Sequence, residues 1–201
     1  MCRFVESIKL KDGVFYRLPL HQQRVNKAFE AFYPGCKPVD VVEALLQTAF
    51  PQEGVCKCRL VYDSDLQSLD IVPYVRREIR SLKLVETTQE SLPYKREDRT
   101  EFNAAFAQRG GCDDVLLVKD GFLTDTSYCN IALYDGEKWY TPRTPLLYGV
   151  NRMQLLSEAK LIDRDISVSE LMNFQYISLF NALIEFGELQ FDVFPNIRSV
   201  Y

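Results

Sequence analysis

Residues 120–133, Asp120-Gly121-Phe122-Leu123-Thr124-Asp125-Thr126-Ser127-Tyr128-Cys129-Asn130-Ile131-Ala132-Leu133, decide how this chain is read. Asp120-Gly121 is a hairpin signal, because both residue types tolerate positive φ. The apolar runs around it, 114–118 and 122–124, read as paired strands, and 130–134 as a third. Asp125 falls at the end of an apolar strand and Asn130 opens the next, where an ordinary exposed turn needs neither. Taken alone, Asp125 is a hydrogen-bonded turn residue with Thr126 and Ser127 as local partners.

Downstream of this stretch, 138–140 adds a strand. Residues 150–161 form a helix by the spacing of Met153, Leu155, Leu156 and Ala159, entered through Gly149. Ser167-Val168-Ser169-Glu170 is a capping box for a short helix, and 176–180 is a final buried strand. Upstream, 97–109 reads as a helix with Phe102, Ala105 and Phe106 on one face, closed by Gly110-Gly111. Residues 87–93 are polar and uneven. They suggest a boundary: a small N-terminal α/β domain over 1–88, a linker over 89–93 and a larger C-terminal domain over 94–201.

The N-terminal part opens with two strands over 6–17 around Lys11-Asp12-Gly13. A helix follows over 20–29, ended by Tyr33-Pro34-Gly35, and a second over 39–49, stopped by Pro51. Strands are expected at 57–62, 66–74 and 81–86. The fold class is therefore α+β in two domains.

The 201 residues are 47% hydrophobic and 26% charged, the composition of a soluble globular protein. Such a chain buries roughly 70% of its unfolded surface, ample for a core. Residues 1–7 lack the apolar core of a signal peptide, and no apolar run approaches a bilayer span, so a cytoplasmic protein with no membrane partner is expected. A formal charge of -4 argues against nucleic acid as a partner and confines any anion site to a local feature. Six cysteines without paired spacing read as free thiols. Cys56-Lys57-Cys58 lacks a second ligand pair, so no metal is expected. The lone His21, with no G-x-S-x-G elbow, is weak support for a serine hydrolase.

Neither G-x-G-x-x-G after a strand nor G-x-x-x-x-G-K-[ST] occurs. Leu147-Tyr148-Gly149-Val150-Asn151-Arg152 places a glycine directly before a helix, where free N–H groups and the helix dipole can hold a phosphate, with Asn151 as a side-chain donor and Arg24 or Arg152 as a charge. By itself the stretch reads more simply as a plain helix start. Lys95 alone reads as a solvated lysine.

Taken in order, Lys95, Asp125 at a strand end, Asn130, Tyr140-Thr141-Pro142 and L-x-G-x-x-R opening a helix make a pattern that resembles the pyridoxal-phosphate enzymes of fold type IV. This is the family of branched-chain and D-amino-acid aminotransferases and aminodeoxychorismate lyase. The likeness runs from Phe4-Val5-Glu6-Ser7 and His21-Gln22-Gln23-Arg24 to Phe180-Asn181-Ala182. It implies a D-amino-acid-aminotransferase-like fold with pyridoxal 5'-phosphate held between the two domains. It further implies that Lys95 carries the cofactor, that Asp125 faces the ring nitrogen with Asn130 fixing the hairpin that aims it, and that Arg24, Val150, Asn151, Asn181 and Ala182 hold the phosphate. Arg59 and Arg99 are the candidates for a substrate carboxylate. For Arg59, an ion pair on the strand face is at least as good a reading.

A buried acid suits that chemistry, because it favours the protonated ring that draws electrons from the carbon beside the amine. The resemblance implies a homodimer acting on a small amine that carries a carboxylate. The compact start and short length lean toward 4-amino-4-deoxychorismate lyase, which releases pyruvate and forms 4-aminobenzoate. Amino-group transfer of the branched-chain or D-amino-acid type uses the same lysine and acid. Asp125, Asn151 and Asn181 stand where the family more often has glutamate and threonine, which motivates a third reading, a non-catalytic binding protein on the same fold.

Overall fold

The computed structural model describes residues 2–198, which divide into two compact units. The first comprises Met1–Arg76 with Leu92–Asp98, the second Arg77–Ser91 with Arg99–Tyr201. The expected linker at 89–93 contains one of the chain's passages between units. Residues 77–88, expected with the N-terminal domain, group with the second unit. No helix among the described residues is long and apolar enough to cross a membrane.

In the first unit β1 (Phe4–Lys11) and β2 (Val14–Phe15) form the expected hairpin, with Asp12 and Gly13 both at positive φ as its turn demands. With β3 (Val55–Tyr62) and β4 (Leu66–Pro73) they make a sheet in the order β2-β1-β3-β4. Side chains alternate across β1. Phe4, Ile8 and Leu10 enter a core with Leu60 and Tyr62 of β3 and with Val25 and Phe29 of α1 (Leu18–Phe32). Each such side chain contributes about 1.5–3 kcal/mol on burial. Glu6 shares the parity of that apolar set, so a carboxylate is carried into the core side of the strand.

The second helix, α2 (Val41–Leu46), is shorter than the expected 39–49. Its start is fixed by the Asp40 side chain, which accepts from Glu43 N at 2.9 Å and so caps the helix one residue before Val41.

In the second unit β5 (Leu82–Glu86), β6 (Asp114–Lys119), β7 (Phe122–Thr126) and the short β13 (Ile197–Arg198) form one sheet, ordered β13-β5-β6-β7. The parallel pairing of β5 with β6 requires a long crossover, which contains α3 (Thr100–Ala107). This helix starts later than the expected residue 97. Residues 95–97 are instead extended beside β1, where Val5 N donates to Lys95 O and Glu97 N to Arg3 O, each at 2.9 Å.

A second sheet combines β8 (Asn130–Tyr134), β9 (Trp139–Pro142), β10 (Ile162–Arg164), β11 (Tyr176–Phe180) and β12 (Gln190–Asp192) in the order β10-β9-β8-β11-β12. β7 and β8 are therefore consecutive in sequence but belong to different sheets. Their corner is closed by Thr126 N donating to Cys129 O at 2.9 Å. The helix α4 (Val150–Ser157) stops short of the expected 161, because Ala159 turns into positive φ and Lys160 N reaches back to Leu155 O. The capping box at Ser167 and Glu170 is formed.

Candidate active site

Asp125 lies on β7 just before the corner and is 3% exposed. Oδ1 accepts from Asn130 Nδ2 at 2.8 Å and Oδ2 from Leu147 N at 2.9 Å. Burial pushes its pKa up to about 6, against these two bonds, which favour the charged form. Among the described residues no cation bonds it directly. Arg152 acts on it at longer range, with Nη2 donating to Pro142 O at 2.7 Å and a buried Nε that has no hydrogen-bond partner among the described residues.

Asn130 also donates from Nδ2 to Leu147 O at 2.9 Å, so one amide spans the acid and the loop that leads into α4. At the entrance to the helix, a Cβ on Gly149 would fall 2.1 Å from Asn130 Oδ1. Gly149 has φ −69, which any residue adopts, so glycine is needed here for space rather than for backbone freedom. No side chain caps the helix, so the first N–H groups of Val150 and Asn151 have no intrahelical acceptor.

The Asn151 side chain does not add the donor expected of it. Both its N–H bonds go to backbone, to Asn181 O at 2.9 Å and Ile184 O at 3.2 Å. Asn181 in turn accepts at Oδ1 from Leu183 N and Ile184 N, and its Nδ2 donates to Tyr128 O at 3.3 Å. Ala182 sits inside the turn that Asn181 N closes onto Ile184 O. Asp125, Asn130, Asn151 and Asn181 thus belong to one hydrogen-bonded circuit, running from the sheet corner through the start of α4 and back to the corner, with Val150 and Ala182 next to it in sequence.

The remaining candidates divide between the units. Lys95, Arg24 and Arg59 lie in the first. Lys95 Nζ donates to Ser7 Oγ at 3.1 Å, on the face of β1 opposite Glu6. Arg24 is 3% exposed and grips Glu6 through two bonds, Nε to Oε1 at 2.8 Å and Nη2 to Oε2 at 2.5 Å. His21 Nδ1 meets the same carboxylate. Burial opposes the charge on Glu6, but the Arg24 guanidinium and the bonds from His21 and Arg24 overcome it and hold its pKa at about 2. Burial keeps the His21 pKa below its usual range, against the pull of the Glu6 carboxylate beside it.

Sequence reasoning missed Glu6 and set His21 aside. The available signal was the i, i+3 spacing of His21 and Arg24, which puts both on one helix face, together with an acid at a core position of β1. Arg59 Nη2 donates to Glu97 Oε1 at 2.6 Å, the ion-pair arrangement. Arg99, in the second unit, rests instead on a neutral acceptor, donating from Nη2 to Ser127 O at 2.7 Å.

The family model for amino-transferase class IV matches residues 3–188. A Haemophilus influenzae protein of uncharacterized function is 33% identical over 89% of this chain and 96% of its own length. A crystal structure from Haemophilus somnus, provisionally named a 4-amino-4-deoxychorismate lyase, superposes with a TM-score of 0.85 at 30% identity, covering 92% of this chain and 98% of that one. One from Mesorhizobium loti, provisionally named an amino-acid aminotransferase, covers 100% of both chains with a TM-score of 0.81 at 21% identity, a likeness of fold. The family match takes in the strand bearing Glu6, the helix bearing Arg24, Lys95, the Asp125 corner and α4, and the chain belongs to the amino-transferase class IV family of pyridoxal-phosphate enzymes.

Proposed function

We propose that this protein is a pyridoxal-phosphate lyase that releases pyruvate from 4-amino-4-deoxychorismate and forms 4-aminobenzoate. The observation that carries the reading is the buried Asp125 carboxylate. Its pKa is raised to about 6, it has donors on both oxygens, and no cation among the described residues bonds it directly. A carboxylate in that state is stabilised by a protonated ring nitrogen, which supplies the missing positive charge.

The other end of the circuit also suits the cofactor. The uncapped N–H groups of Val150 and Asn151, a helix entrance where Gly149 leaves no room for a Cβ and the unspent Arg152 Nε make a donor set fit for a phosphate. Asn181 and Ala182 serve by shaping the turn against Asn151, whereas the charge expected of Arg24 is already paired with Glu6. When bound, pyridoxal phosphate supplies an aldehyde that takes up amines and a ring that draws electrons from the carbon beside them.

Lys95 Nζ is the amine that holds the cofactor. Once free of the cofactor, the same nitrogen would take the proton from the carbon bearing the substrate amine. Asp125 Oδ keeps the ring nitrogen protonated throughout. Arg99 is the better of the two candidates for the substrate carboxylate. Among the described residues no acid contacts it directly, whereas Arg59 is already committed to Glu97. The lean toward the lyase rests on the Haemophilus somnus neighbour, which matches along nearly its whole length. A homodimer belongs to the same reading.

The test begins with a visible spectrum before and after borohydride and mass analysis of the modified lysine. Pyruvate and 4-aminobenzoate are then measured from 4-amino-4-deoxychorismate, alongside conversion to the pyridoxamine form by amino donors. Label on Lys95 and equal yields of the two products are expected. Label elsewhere overturns the assignment of the lysine. Pyridoxamine without pyruvate makes the enzyme an aminotransferase, and cofactor without any turnover makes it a binding protein.

A further inference from the structure

Asp114 opens β6 with no exposed surface, and the reading above gives it no task. Its Oδ2 accepts from Ser127 Oγ at 3.0 Å and from Arg77 Nη2 at 2.9 Å, while Oδ1 accepts from Val115 N at 2.8 Å. A carboxylate removed from water needs such partners, and here every one is supplied. Arg77 is held in place by two rings, Phe106 at 5.0 Å and Tyr128 at 4.9 Å from the guanidinium carbon.

The consequence lies at Ser127. Its hydroxyl is fixed by Asp114 and its carbonyl accepts from Arg99 Nη2. On the far side of the same corner, the Tyr128 carbonyl is held by Asn181 Nδ2. The residue that carries the carbonyl under Arg99 is therefore tied through its own hydroxyl, and the residue after it through its carbonyl. A guanidinium has five N–H donors, and this contact uses one. Burial works against the charge on Arg99, and Asp114 is the acid that sustains it from a distance without occupying its donors.

We propose that Asp114 is a positioning residue for carboxylate recognition: through Ser127 it fixes the carbonyl on which Arg99 rests, so that the rest of the Arg99 fork faces a substrate carboxylate. This rests on the assignment of Arg99 as the carboxylate binder. It adds a residue that never touches substrate yet sets the preference for an anionic one over a neutral isostere. Arg77 is 45% exposed, so removal of the Asp114 charge leaves a solvated guanidinium rather than a buried unpaired one.

The experiment compares binding of 4-aminobenzoate and 4-aminobenzamide to cofactor-loaded protein by calorimetry, for the native chain, Asp114→Asn, Ser127→Ala, the double variant and Arg99→Ala. The native protein should favour the carboxylate. Arg99→Ala should abolish that preference. Asp114→Asn and Ser127→Ala should each reduce it about tenfold with the cofactor spectrum unchanged, and the double variant should be no worse than either, as for two links of one chain. Loss of the preference in Arg99→Ala but not in Asp114→Asn overturns the role of Asp114 and leaves Arg99 standing. Additive losses overturn it as well. A native protein without the preference removes Arg99 and Asp114 together. If Asp114→Asn fails to fold, Ser127→Ala decides, and an undiminished preference there is contrary. A preference that behaves as expected in a protein releasing no pyruvate sinks the lyase reading alone.

Discussion

The Asn130 side-chain nitrogen lies 2.8 Å from an oxygen of Asp125 and 2.9 Å from the Leu147 carbonyl, so a single amide ties the acid at the sheet corner to the loop that starts α4. The corner and the loop before α4 are thereby joined through one side chain.

Asp125 costs stability when no cation is bound beside it. Its pKa is raised from 3.8 to about 6, so the folded state holds a proton more tightly than the unfolded one. The associated stability is present below about 3.8 and is lost as pH rises through about 6, a change of about 3 kcal/mol. In cofactor-free protein the native chain should therefore gain about 3 kcal/mol between pH 7.5 and pH 3.5 relative to Asp125→Asn, which lacks this titration. Urea denaturation at the two pH values measures this. The same change in stability with pH in both proteins would contradict it. In the loaded enzyme the same change should lower turnover by about 100-fold or more.

Glu6 behaves in the opposite sense. Its pKa is depressed to about 2, so its contribution is present above about 4.5 and lost as pH falls through about 2. Glu6→Gln leaves Arg24 buried without a counter-charge and should cost about 3–5 kcal/mol. Denaturation curves between pH 2 and pH 6 should show a flatter acid limb for the variant. An unchanged limb would mean that the pair does not govern acid stability.

Gly149→Ala drives a methyl group to 2.1 Å from Asn130 Oδ1 on an otherwise ordinary backbone. A loss of about 1–3 kcal/mol is expected, with weaker cofactor binding as Asn130 moves off Asp125. Asn130→Ala in the Gly149→Ala background should cost less than the sum of the two changes, because both break the same contact. Full additivity in thermal melts would argue against the steric cause.

The two arginines proposed for a carboxylate should separate kinetically. Arg99→Ala should raise KM about 10- to 100-fold, the scale of a charged hydrogen bond, while Arg59→Ala, already spent on Glu97, changes it less than about threefold. Equal effects would return Arg59 to the binding site.

Much of the local structure was legible from residue type. The Asp12-Gly13 and Asp120-Gly121 turns adopt positive φ at both positions, the Ser167–Glu170 capping box forms, and Gly149 stands at the entrance to α4. The ends of helices were less so. α3 begins late because residues 95–97 pair with the start of β1, a long-range contact that helical spacing does not register. The corner after Asp125 was hidden for a similar reason. Period-2 alternation marks β7 and β8 as strands but does not say that they enter different sheets. The donor role expected of the Asn151 side chain gave way to two backbone carbonyls, from Asn181 and Ile184, that lie far along the chain.

The sequence by itself determined the order of chemical groups along the chain, a lysine, a strand-end acid, an asparagine and a glycine before a helix, and through them the family. Turn residues, caps and apolar spacing act over a few positions, so they can be read without coordinates. Only the tertiary structure decided which of these groups keep spare donors and charge. Glu6 takes up Arg24, Glu97 takes up Arg59 and Asn151 closes on backbone, while Asp125 is left buried with a raised pKa and Arg99 rests on an uncharged carbonyl. Pairing and desolvation depend on what folds against a side chain from distant parts of the chain, and that is set by packing rather than by spacing.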